Sequence, residues 1–410
     1  MLNIKNGGNI YTERTIGRFF KEASGHFKVI LLTGMRQVGK TTCLRNISGK
    51  KRRYVSLDDP QVLSLAKNEP ALFFERFAPP VFIDEIQYAP ELFPYIKMLV
   101  DDSEENGRIW LSGSQQYSMM KNVTESLAGR VAIVDMFGFS IYERQGKALL
   151  QKPFLPPANP LSPLTPKRPS ETFEIIWRGS FPHIVNSAAQ WRLFYSSYVK
   201  TYLERDVRQI INIGDETAFL RFMSVAAART AQILNISDIA NNSGVTVKTA
   251  ERWLSVLQAS GVTYLLKPYF SNVSKRFIKR PKLYFTDTGL CAYLTEWTSR
   301  QTLEAGAMSG AFFETFVISE ILKSYHHNGE SPNLYYYRDS NNVEIDLLIS
   351  QNGLLYPIEI KKTAAPKKDD VKAFDTLAKI AKTGYGSLIC LVKENLPLTD
   401  SANAVSVWEI

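Results

Sequence analysis

Two sets of residues in this 410-residue chain have types and spacings that suit chemistry on phosphates. The first is Gly34-x-x-x-x-Gly39-Lys40-Thr41, with Thr42 behind it. At that spacing, backbone N–H groups wrap phosphates and a helix N-terminus faces them, while Lys40 reaches the outer phosphates and the Thr41 hydroxyl binds Mg²⁺. Downstream, the apolar run Val81-Phe82-Ile83 ends in Asp84-Glu85. Asp84 would hold the Mg²⁺ through water or through the Thr41 hydroxyl, and Glu85 would polarise an attacking water. The second set lies near the other end of the chain, where Asp346 and the Glu359-x-Lys361 triplet flank Asn352-Gly353. Two carboxylates and a lysine at such positions could hold a metal and steer a water.

These residues need elements to place them. Val29 to Leu32 is a buried strand by composition, broken at Thr33-Gly34, and a helix opens at Gly39-Lys40-Thr41, giving the order strand, glycine loop, helix. A third strand, Ile109 to Leu111, leads into Ser112-Gly113-Ser114-Gln115, where Ser114 would sense a hydrolytic water or simply belong to a serine-rich turn. Arg130, just ahead of the strand Val131 to Val134, is either a finger that neutralises charge on the transferring phosphoryl group or a surface residue. At the far end, Val343 to Ile349 and Leu354 to Lys361 flank a two-residue hairpin signal. That register sets Asp346 opposite Glu359 and Glu344 opposite Lys361, with Val343, Ile345, Leu347, Tyr356, Ile358 and Ile360 on the other face. Carboxylates directly across strands repel, and a bound Mg²⁺ would relieve the repulsion.

Between these ends, the proline-dense run Gln151 to Ser170 reads as a boundary loop, and Trp191 to Ile211 as a connecting helix. A short helix capped by Ser237 and a longer one capped by Thr246 precede two strands, Tyr264 to Lys267 and Leu283 to Phe285, which is the arrangement of a winged helix. Lys248 and Arg252 on the second helix, with Lys275, Arg276, Lys279 and Arg280 in the loop between the strands, suit DNA phosphates. The same module also serves as a protein–protein surface or a lid.

Composition is that of an ordinary globular protein: 45% hydrophobic, 22% charged and a formal charge of +9 from 49 Lys+Arg against 40 Asp+Glu. No apolar run is long enough to span a bilayer and Met1 to Gly8 has no signal-peptide character, so a cytoplasmic location is expected. Cys43, Cys291 and Cys390 are too far apart for a zinc motif and read as small buried hydrophobes.

Gly34 to Thr41, Val81 to Glu85, Leu111-Ser112-Gly113-Ser114 and Leu127 to Arg130 together resemble prokaryotic AAA-type ATPases similar to the archaeal ATPases, with a C-terminal region of unassigned function. The resemblance implies ATP and Mg²⁺ as cofactors, ATP hydrolysis, and a homo-oligomer as one available state. Asp346, Glu359 and Lys361, preceded by a helix bearing Glu314, resemble the PD-(D/E)xK nuclease-like fold, without the proline-aspartate pair. That resemblance implies metal held by Asp346, Glu359 and Glu314, with Lys361 orienting the water. The expected organisation is α/β: a P-loop AAA-type domain over 1–145, a proline-rich and helical connector over 146–215, a winged helix over 216–300 and a nuclease-like α/β domain over 301–410. Two functions fit it. One is an ATPase that acts on or answers to DNA and carries a metal-dependent nuclease tail; the other is a nucleotide-dependent switch for a protein partner, with the tail as an inactive scaffold.

Overall fold

The computed structural model describes residues 11–50, 52–114, 123, 125–158, 164–187, 190–202, 215–270 and 280–410. Lys275, Arg276 and Lys279 and the expected helix beyond Tyr202 lie outside the described residues.

The first sheet has five parallel strands, β1 (Val29–Thr33), β2 (Arg53–Ser56), β3 (Val81–Asp84), β4 (Ile109–Ser112) and β5 (Val131–Asp135), in the order β2-β3-β4-β1-β5. Strands β1, β3 and β4 are unbroken apolar runs because both faces of the sheet are covered. Ile30, Leu32, Phe82 and Trp110 share one core with helices α1 (Ile16–Ser24) and α2 (Lys40–Ile47). Val29, Leu31, Val81, Ile83, Ile109 and Leu111 share the other with α3 (Leu92–Asp101). Parallel strands put every loop that follows a strand on one edge, so the residues after β1, β3 and β4 gather there.

The proline run is not a loose boundary. Phe154 and Leu164 within it are buried, the Phe154 N–H donates to Ser324 Oγ at 3.0 Å, and the Tyr325 hydroxyl donates to the Phe154 carbonyl at 2.8 Å. Through Phe154 the described start of the run is fastened to the C-terminal region.

The middle of the chain contributes α4 (Pro169–Arg178), α5 (Trp191–Tyr202), α6 (Glu216–Ala227), β6 (Gln232–Ile233), α7 (Ile236–Ser243), α8 (Val247–Ala259), β7 (Thr263–Pro268) and β8 (Lys282–Phe285). Thr246 caps α8 as read, accepting from the Thr249 N–H at 3.2 Å. The cap of α7 is Asn235 rather than Ser237: Asn235 is the last extended residue and its side chain accepts from the Asp238 N–H at 3.3 Å, so Ser237 already lies in the first turn.

After α9 (Thr288–Leu294) come α10 (Ser309–His326), β9 (Leu334–Arg338), β10 (Glu344–Gln351), β11 (Leu354–Ile360), α11 (Ala373–Ala378), β12 (Gly386–Cys390), β13 (Leu396–Thr399) and β14 (Ala402–Ser406). The expected boundary at residue 300 falls inside one continuous sheet of nine strands, β13-β14-β12-β11-β10-β9-β7-β8-β6. β7 pairs in parallel with β9, Lys267 with Tyr335 and Pro268 with Tyr336, so each module covers an edge the other would leave open.

Asn352 at φ 52° and Gly353 at φ 76° make the tight mirror-image turn, and the pairing runs from Leu347↔Ile358 to Gln351↔Leu354, the register read from the sequence. The expected alternation fails at one place. The ladder with β9 shifts between Ile345 and Leu348, so Ile345 joins Leu348 in the core under α11, whereas Leu347, Ile349, Ile358 and Ile360 pack in the core that holds α10.

Helix α10 is buried along most of its length. Glu320 accepts from the Ile141 N–H at 2.9 Å, and Lys323 Nζ bonds Glu320 at 2.7 Å and the Phe139 carbonyl at 3.1 Å. A buried charge needs such partners, and here they fasten the C-terminal region to the exit of β5. All three cysteines are buried and unpaired with one another.

Candidate functional site

At the loop between β1 and α2, Gly34 has φ 143°, and a Cβ there would lie 2.1 Å from the Met136 carbonyl oxygen. Only glycine fits. Gly39, at φ 94°, caps α2, and the first helical residue, Lys40, turns back so that Nζ donates to the carbonyls of Gly34 at 2.9 Å and Met35 at 2.8 Å. Thr41 and Thr42 follow in the first turn. Arg14, which sequence reading passed over, braces this loop: its guanidinium donates to the Val38 carbonyl at 2.8 Å and pairs with buried Glu143 at 3.0 Å.

Asp84 ends β3 on the same edge and is 5% exposed. One carboxylate oxygen accepts from the Ser112 hydroxyl and the other from the Tyr54 hydroxyl at 3.1 Å. Sequence reasoning placed Ser112 in the polar end of its strand but not on Asp84, and did not single out Tyr54. Glu85 follows in the left-handed region at φ 59°, bonded by the Gln87 amide; burial raises its pKa above the ordinary carboxylate value. Thr41 and Asp84 are hard oxygen donors of the kind Mg²⁺ takes. Ser114 is buried just past β4, and its Oγ has no hydrogen-bond partner among the described residues. Arg130 is elsewhere. Its carbonyl accepts from the Val29 N–H, and its side chain bonds Asp101 at 2.5 and 3.0 Å, at the end of the sheet where β1 begins. Roughly 15 Å of strand separates that end from the glycine loop, so within one chain Arg130 lies away from the nucleotide loop.

In the C-terminal region the structure gathers Glu314 from α10 and Glu344 and Asp346 from β10, and adds a residue that sequence reading did not place there. Lys282, at the start of β8 and 4% exposed, sends Nζ to within 2.7 Å of Glu344, 3.3 Å of Glu314 and 3.4 Å of Asp346. The Tyr284 hydroxyl donates to Glu314 at 2.6 Å, and the Ile360 N–H to Asp346 at 3.0 Å. Burial works against the Lys282 ammonium, but Glu314, Asp346 and Glu344 override it and hold its pKa above the usual lysine value. Glu359 is pushed up to about 9 by burial and then by the Asp346 charge, and one of its oxygens has no partner among the described residues. Glu314 is pushed up to about 7 by the same two causes in the same order. Lys361 points its charge at Asp370, 2.8 Å away. Among the described residues no group of three or more His, Cys, Asp or Glu side chains is disposed to hold a metal ion.

Lys248 and Arg252 are exposed one turn apart on α8. Exposed Arg280, with Phe270, Tyr336 and Arg338, lines a cleft of about 520 Å³ between the β7–β8 region and β9. Among the described residues no helix is long and apolar enough to cross a membrane.

Residues 26–145 match an AAA domain, residues 170–301 a domain of unknown function (DUF8612) and residues 309–410 a second domain of unknown function (DUF4143). Two relatives, both uncharacterized proteins, one of Mycobacterium bovis and one of Mycobacterium tuberculosis, are each 31% identical over 340 residues, covering 82% of this chain and 71% of the relative. Among solved structures, a Walker-type ATPase of Pyrococcus abyssi shares 13% identity at a TM-score of 0.46, over 69% of this chain and 96% of that one. The chain therefore belongs to the family of these mycobacterial proteins, and its residues 26–145 are an AAA domain of the P-loop ATPase kind.

Proposed function

We propose that the chain is a Mg²⁺-dependent ATPase whose turnover answers to DNA held by a winged helix. The observation that carries the first half is the convergence of the Gly34–Thr42 loop, Asp84 and Glu85 on one edge of a parallel sheet. Lys40 leaves the Gly34 and Met35 carbonyls for the outer phosphates of ATP. Glu85 takes a proton from water as the water oxygen bonds the γ-phosphorus and the bond to the β–γ bridging oxygen breaks, giving ADP and phosphate. A buried glutamate of raised pKa is a stronger base for that proton than an exposed one. Thr41 and Asp84 would hold Mg²⁺, which when bound offsets phosphate charge. Ser114 would hydrogen-bond the water or the phosphate it attacks. Lys40→Ala removes ATP binding and Glu85→Gln keeps binding while losing turnover; equal ATP affinity in wild type and Lys40→Ala would overturn the reading.

The DNA half is supported by the α7-turn-α8 pair followed by antiparallel β7 and β8, and by exposed Lys248, Arg252 and Arg280. The Met35 sulfur, in the nucleotide loop, lies 3.3 Å from Thr286 Oγ1, one residue past β8, and the Thr286 hydroxyl donates to the Gly261 carbonyl at 2.6 Å. A loop that rearranges on ATP binding therefore pushes on the module that would hold DNA. DNA-stimulated ATP turnover that weakens with salt and with Lys248→Ala/Arg252→Ala is the expected result.

For the C-terminal region a specific observation favours the second reading, a nuclease-like fold serving as scaffold. Asp346 and Glu314 already have a cation, Lys282. Absence of Mn²⁺-dependent cleavage on several DNA forms is expected, and cleavage lost in Asp346→Asn would restore the catalytic reading.

A further inference from the structure

The four acidic groups behind the β10–β11 hairpin differ from an ordinary surface cluster in what sits among them. Glu314, Glu344 and Asp346 converge from α10 and β10 on a single point, and the Lys282 ammonium occupies it, with one carboxylate oxygen of each at 3.3, 2.7 and 3.4 Å. An ammonium has three protons to give, and three carboxylates surround it. A divalent ion of the Mg²⁺ class would need those oxygens at about 2.0–2.1 Å around its own centre, in space the ammonium fills. The lysine does not come from the tail. It is delivered by β8, from the middle of the chain, 32 to 64 residues before the groups it neutralises, and it is held there by the β7–β8 and β7–β9 pairings and by contact with the Tyr336 ring at 5.7 Å.

We infer that Lys282 is the resident cation of this carboxylate cluster, replacing a divalent metal and closing the tail to one. The inference deepens the scaffold reading of the tail and rests on it. A second positive charge stands beside the cluster, since the Arg338 guanidinium lies 3.9 Å from Glu344. Lysine is also a cation that does not dissociate, so the cluster is satisfied whatever the divalent ion concentration.

The test is a Mn²⁺ titration of the full-length chain without nucleotide, counting bound ions by the loss of the free-Mn²⁺ electron paramagnetic resonance signal. Wild type and Asp346→Asn should bind alike, because no site depends on Asp346 while Lys282 is present. Lys282→Ala should gain one Mn²⁺, and Lys282→Ala/Asp346→Asn should lose it again. A wild-type site that Asp346→Asn removes would overturn the inference, and so would a folded Lys282→Ala that gains none. Should Lys282→Ala fail to fold, Lys282→Met/Glu344→Gln removes the ammonium with its nearest carboxylate, and the same gain or absence of gain decides. DNA cleavage measured on the same samples reports separately on the scaffold reading: Mn²⁺ bound to Lys282→Ala without cleavage leaves both intact, while Asp346-dependent cleavage by wild type contradicts both.

Discussion

Two buried lysines, Lys40 and Lys282, stand in sites that sequence reading assigned to phosphate and metal chemistry, and their company differs. Lys40 donates to the neutral carbonyls of Gly34 and Met35. Lys282 lies among the carboxylates of Glu314, Glu344 and Asp346. A hydrogen bond to a neutral carbonyl is worth about 1 kcal/mol net, which the phosphates of a nucleotide outbid easily. Removing one partner of a buried ion pair costs about 3–5 kcal/mol, because it strands the opposite charge. The two carbonyl bonds of Lys40 are thus weak enough to be exchanged for phosphate, whereas the ion pairs of Lys282 belong to the fold.

The largest effect that would sharpen this contrast is on stability. Lys282→Ala should lower unfolding free energy by about 3–5 kcal/mol in urea melts, against about 1 kcal/mol for Lys40→Ala. Similar losses for the two would break the comparison. On activity, Glu85→Gln should cut ATP turnover by about 10²–10⁴-fold with ATP affinity preserved, measured by steady-state turnover beside equilibrium binding.

The tail also predicts a pH dependence. Glu359 is raised to about 9 and Glu314 to about 7, above the unfolded glutamate value of about 4.3. The folded state therefore takes protons more readily than the unfolded one. The stability this brings is full below about pH 4 and is lost as pH rises through the two folded values. Glu359→Gln should flatten the fall in melting temperature between about pH 5 and 9 and raise stability on the alkaline side. An unchanged slope would mean Glu359 is not protonated in the fold. Smallest of all, Arg130→Ala should leave turnover of the dilute chain unchanged, since its partner Asp101 lies at the far end of the sheet; a turnover loss there would reopen the finger reading.

The two regions were unequally legible in the sequence. The nucleotide loop is local: glycine spacing, a β-branched strand before it and a helix after it fall within fourteen residues, Val29 to Thr42, so the order of types determines the geometry. The hairpin register was legible for the same reason, through Asn352-Gly353. Lys282 was not, because it reaches Asp346 only through the β7–β9 pairing that joins two regions read as separate domains. The bulge that turns Ile345 away from Leu347 was hidden too, as it depends on the neighbouring strand β9 rather than on β10 itself. Ser112 on Asp84 lies between these cases: it ends a strand the sequence reveals, but the order β3-β4 that brings it to Asp84 is a property of the whole sheet, and β2, which carries Tyr54, is half exposed and has no apolar run to reveal it.

One measurement reaches the nucleotide loop most directly: steady-state ATP turnover of the full-length chain with Mg²⁺, in wild type and Lys40→Ala, with ATP affinity determined on the same preparations. Mg²⁺-dependent turnover is expected in wild type, and neither binding nor turnover in Lys40→Ala. Undiminished ATP affinity in Lys40→Ala, or turnover that persists in it, would contradict the assignment of Gly34 to Thr42 as the nucleotide site.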